Sequence, residues 1–203
     1  MIGDMLLPVL AASAAGGAGW WWHANLRRSA QSHADRSTRA RARGWDYASV
    51  AGGFAVVGRT LSCEWELRSN ASGESPSSCF EMGAPDRDRA VALVRAFNAP
   101  PVDCGLAAWD VGSEAVHELF AIDAQTGDDA RRIIDGEMED LLIGWAEPRR
   151  VRFRSCHQTD NPFEAWVCPH GIAMRCGEAL DDWLDIERLI GLGIALGRRA
   201  GLP

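Results

Sequence analysis

The stretch EAWVCPHGIAMRCGEALDDWLDIERLIGLGIALGRR, Glu164 to Arg199, decides the fold class. Its first half holds two apolar runs, Glu164–Cys168 and Gly171–Cys176, separated only by Pro169-His170, which is how two antiparallel strands joined by a tight turn read. The second half differs: an apolar run, Leu189–Gly197, is set between Arg188 and Arg198, Asp181, Asp182 and Asp185 stand near the start, and Arg198 and Arg199 near the end. Acidic residues at the beginning and basic ones at the end complement the helix dipole, so a helix is predicted from about Leu180 to Arg199. A strand pair followed by a separate helix, with no βαβ alternation, is the pattern of an α+β domain with an antiparallel sheet.

Working outward, Phe54–Arg59 and Leu61–Arg68 predict further strands. In the second, Cys63, Trp65 and Leu67 alternate with Glu64, Glu66 and Arg68, as in a strand with one face buried. Ser69–Pro76 reads as a loop, in which Asn70-Ala71-Ser72 matches a glycosylation pattern by accident. Asp86–Phe97 predicts a helix with Val91, Val94 and Phe97 on one side, stopped by Pro100-Pro101. An extended stretch around Leu106–Val111, the segment Glu114–Phe120 and the run Phe120–Ala124 follow. Asp128–Trp145 predicts a single helix, with Ile133, Ile134, Met138, Leu141 and Leu142 at helical spacing and Pro148 beyond its end. Arg150–His157 is a third strand candidate near the C-terminal hairpin.

Charge divides the chain. All 21 basic residues are Arg, a usage that fits a GC-rich genome. Six of them (27, 28, 36, 39, 41 and 43) against Asp4 and Asp35 put residues 1–43 at +4; with a net charge of -7, the remaining 160 residues carry -11. An acidic domain of that kind argues against nucleic acid as the main partner, because phosphate binding needs a concentrated positive face. The basic stretch suits an anionic membrane surface instead.

Ahead of it, Met5 to Trp22 (MLLPVLAASAAGGAGWWW) runs 18 residues without a charge. As a helix it spans ~27 Å, just under a ~30 Å hydrocarbon core. Trp20, Trp21 and Trp22 fall where indoles favour the headgroup level, and Arg27 and Arg28 follow at once. No Arg precedes the run and six follow it. The positive-inside rule therefore places the N-terminus outside and the domain in the cytoplasm, at the inner membrane. A cleaved signal peptide is the rival; Ala12-Ser13-Ala14 supplies a cleavage site, but a basic n-region is missing and the Arg-rich flank opposes translocation. The expected organisation is a transmembrane anchor (1–26), a basic juxtamembrane stalk (27–43) and an acidic α+β domain (44–203). Membrane lipid is met through residues 5–22 and the stalk.

This order of features, with Arg43-Gly44-Trp45-Asp46-Tyr47 opening the domain and Trp65-Glu66-Leu67 in a strand, resembles a loose group of uncharacterised bacterial single-pass membrane proteins. The resemblance implies an Arg-rich stalk and a cytoplasmic α+β domain. It brings no activity with it.

The tempting sites fail on spacing. Cys156, His157, Cys168, His170 and Cys176 fall within 21 residues, but no pair has C-x2-C spacing. In the predicted hairpin Cys168 lies opposite Gly171, which leaves the Cys168 and Cys176 sulfurs ~16 Å apart at ~3.3 Å per residue. One zinc ion cannot span that. The cysteines (63, 79, 104, 156, 168, 176) read as small buried hydrophobes, and a reducing cytoplasm disfavours disulfides. Gly191, Gly193 and Gly197 give G-x-G-x-x-x-G inside a helix, which is no dinucleotide fingerprint but lets a helix pack closely. His117-Glu118 lacks the second His of a zincin, and Asp181, Asp182 and Asp185 read as a capped first turn. No nucleophile has a partner legible in sequence. No catalytic residue, cofactor or metal is assigned. The expected function is a non-catalytic, membrane-anchored accessory, assembly or regulatory protein that binds another membrane protein. The alternatives are a membrane-tethered hydrolase-like enzyme and a Cys/His metal or redox module.

Overall fold

A computed structural model describes residues 31–60, 62–72, 75–97, 99, 102–149 and 163–202. The Met5–Trp22 run, Trp20, Trp21, Trp22, Arg27 and Arg28, and the strand candidate Arg150–His157 with Cys156 and His157 lie outside the described residues. The chain divides between Arg43 and Gly44 into two units. In the first, residues 31–42 are helical (α1). No helix among the described residues is long and apolar enough to cross a membrane.

The second unit is α+β. Its strands are β1 (Asp46–Val50), β2 (Gly53–Thr60), β3 (Cys63–Asn70), β4 (Ser77–Gly83), β5 (Ala92–Ala96), β6 (Ala107–Ala108), β7 (Phe120–Ala124), β8 (Glu164–Cys168) and β9 (Gly171–Cys176). They form one sheet in the order β1-β2-β3-β4-β9-β8-β5-β7-β6. Every neighbouring pair is antiparallel. The helices are α2 (Glu114–His117), α3 (Gly127–Ile133), α4 (Gly136–Ala146) and α5 (Trp183–Arg199).

Strict alternation on β3 fixes which face is which. Trp65, Leu67 and Ser69 are buried, while Glu66, Arg68 and Asn70 point the other way. Phe80 and Met82 on β4 and Ile172 and Met174 on β9 fall on the buried side by register. α5 packs there against β4 and β9, and α4 packs on α5. The glycines of α5 explain how close it comes: a Cβ at Gly193 would lie 2.3 Å from the Phe80 ring, and one at Gly197 2.9 Å from Met82 Sδ. Small residues therefore set the helix-to-sheet distance, as the G-x-G-x-x-x-G spacing suggested. Gly191 has no such role, since nothing lies within 4 Å of its Cβ position. Gly191→Ala is expected to stabilise the domain by about 0.5–1 kcal/mol through helix propensity alone, read by urea denaturation.

Three expectations change. Residues 86–97 are not a helix but a 3-10 turn, Arg87–Arg89, followed by β5. β5 lies between β8 and β7 and buries Ala92, Leu93, Val94 and Ala96. A strand covered on both faces shows a continuous apolar run rather than alternation, and here that run mimicked helical spacing. Phe97, expected on the apolar side, is 58% exposed. The predicted helix 128–145 is two helices, because Asp135 leaves the helical conformation and accepts a hydrogen bond from the Met138 N–H at the start of α4. An N-cap of this kind ends one helix and begins the next. Finally, α5 begins at Trp183 rather than Leu180, with Asp182 capping it by accepting from the Leu184 N–H.

The C-terminal hairpin has the register read from its sequence. Cys168 stands opposite Gly171 and Glu164 opposite Arg175.

Candidate functional site

The face of the sheet turned away from α5 differs along its width. Over β8 and β5 it is apolar: Ala90, Leu93, Trp166, Cys168 and Ala173 form a small cluster, against which Cys104 and Leu106 pack. Over β3 and β4 it is polar and concave. Glu66, Arg68, Asn70, Ser77, Cys79 and Glu81 line an open groove of about 310 Å³.

Strand register orders the groove. One row across the sheet runs Arg68, Cys79, Arg175, Glu164, and the next sets Glu66 directly opposite Glu81. Like charges opposite one another are unfavourable in a sheet. Arg68 relieves this pair by gripping Glu66 with two hydrogen bonds of 2.7 and 2.9 Å. Elsewhere on this face Arg59 pairs with Glu64, Arg87 with Glu164 at 3.7 Å, and Arg95 with Asp123 at 2.9 Å. Of the charged side chains that β2–β9 place on this face, Glu81 and Arg175 alone have no ion-pair partner among the described residues. The register explains why they do not meet: Glu81 opposes Ala173 and Arg175 opposes Cys79, two residues further along.

Cys79 lies at the floor between Arg68 and Arg175. Burial pushes its thiol above the usual cysteine range; Arg175 pulls it down and Glu81 adds to the rise. The thiol form therefore dominates at neutral pH, which is the inert state of a cysteine. Cys176 is more extreme, its thiol pushed up to about 12 chiefly by burial. Cys63, Cys79, Cys104, Cys168 and Cys176 are all free thiols. Among the described residues no three His, Cys, Asp or Glu side chains gather in a metal-binding arrangement.

A second constellation was not legible beforehand. Arg149, 8% exposed, donates from Nε to Glu178, from Nη2 to Asp185 Oδ2 at 2.6 Å and from Nη1 to the Trp145 carbonyl at 3.1 Å. Its guanidinium also lies 3.8 Å from the centre of the Trp145 ring. This ties the turn after α4 to the segment between β9 and α5 through Glu178 and to the first turn of α5 through Asp185. Asp185, read as one of three solvated acids at a helix start, is thus an ion-pair partner, while Asp182 is the cap. Nearby, Ser78 Oγ donates to Ser69 Oγ and the Leu180 N–H donates to that same oxygen, both at 2.9 Å. Both groups brace the fold rather than open onto a ligand.

The remaining sequence candidates are scattered. His117 Nε2 meets Asp110 Oδ1 at 2.9 Å near α2. Asn70 Oδ1 accepts from the Ser72 N–H and Oγ, a local turn. The groove itself is the feature that sequence reasoning missed. It depends on β4 pairing with both β3 and β9, and the latter pairing joins residues nearly a hundred positions apart.

No protein-family model, curated protein or solved structure matches this chain.

Proposed function

We propose that this protein is a non-catalytic, membrane-anchored accessory subunit whose cytoplasmic domain docks onto another membrane protein through the groove over β3 and β4. Glu81 and Arg175 carry the reading. Exposed ion pairs such as Arg59–Glu64 and Arg68–Glu66 are worth only about 0–1 kcal/mol each, so they add little to folding, unlike the enclosed Arg95–Asp123 pair. Glu81 and Arg175 close no ion pair among the described residues, although Arg175 stands across from Glu164 and Glu81 feels the charge of Arg68. Two such exposed charges of opposite sign beside a concave floor are suited to partner choice, where electrostatic complementarity acts on specificity and association rate. The anchor is the uncharged run Met5–Trp22, with Trp20, Trp21 and Trp22 at the interface and Arg27 and Arg28 behind them. Six Arg after the run and none before it support the orientation with the N-terminus outside.

Gentle detergent extraction followed by identification of co-purifying proteins tests the proposal. The wild-type chain is expected to bring down one stoichiometric membrane protein. The double charge reversal Glu81→Arg with Arg175→Glu is expected to weaken that association at least about tenfold, roughly 1.4 kcal/mol. Glu81→Arg relieves the like-charge pair with Glu66, while Arg175→Glu sets a new one opposite Glu164. The two effects oppose at exposed positions, so the unfolding free energy of the variant should change by under about 1 kcal/mol. A wild-type chain that purifies alone as a monodisperse monomer contradicts the proposal, and so does a double variant that holds its partner as tightly. A reporter fused after Pro203 tests the orientation, and an external C-terminus would overturn it.

A further inference from the structure

We draw no further inference here: the strongest candidate, the Glu81–Cys79–Arg175 patch where β4 and β9 meet at the edge of the groove, belongs to the site already described, and nothing in the structure shows what covers it.

Discussion

Replacing Arg149 with Ala is expected to destabilise the domain by about 3 kcal/mol, the low end of the range for breaking a buried ion pair. The guanidinium is almost wholly enclosed, yet its partners Glu178 and Asp185 keep 21% and 25% of their side-chain surface in water. Water can therefore partly solvate the stranded carboxylates, which holds the loss below the upper values. The variant also forfeits the hydrogen bond to the Trp145 carbonyl and the contact with its ring. Arg149→Met separates these contributions, because it keeps the packing and removes the charge. Urea denaturation reads both. Arg149→Met is expected to recover part of the loss, and a further step to Glu178→Gln with Asp185→Asn should recover more. A loss under about 1 kcal/mol for Arg149→Ala would mean that the cluster behaves as a solvated surface network.

Phe80→Ala is expected to cost about 3–5 kcal/mol, as for other fully buried aromatics. Phe80 has no exposed surface, stacks on Trp65 at 5.9 Å, and meets the α5 backbone at Gly193. The contact with Gly193 makes a sharper prediction possible. Gly193→Ala alone should cost about 1–3 kcal/mol, since the new Cβ drives into the ring. In the Phe80→Ala background the ring is gone, and the same change should be neutral or stabilising by up to about 1 kcal/mol through helix propensity. The two substitutions are therefore expected to be strongly non-additive, as neighbours in contact are. Simple additivity in a denaturation cycle would show that α5 does not sit against β4 as described.

How much of this was legible in the sequence follows from which interactions are local. The β3 alternation, the β8–β9 hairpin and the α5 helix are each set by residues within a few positions, and each reads correctly in kind from its period, its turn or its charged ends, α5 with its start placed three residues early. β5 does not, because its burial comes from β7 and β8 on either side and the segments above and below it. Ala, Leu and Val then lose the alternation that marks a strand. The break at Asp135 was hidden by apolar residues that keep their spacing across it; only Asp135-Gly136, a cap followed by a weak helix former, signals it. The candidate site was the least legible part. Glu66, Cys79, Glu81 and Arg175 are unremarkable singly, and their grouping depends on the register of three strands. Arg149 likewise gives no local hint that its partners lie 29 and 36 residues onward.

The docking claim is tested most directly by photo-crosslinking in intact membranes. A photo-reactive amino acid is placed at position 77, which lines the groove, and in a separate chain at position 188, on the exposed side of α5. The account predicts one discrete adduct with a membrane protein from position 77, lost on Arg175→Glu, and none from position 188. No adduct from position 77, or equal adducts from both positions, would contradict it.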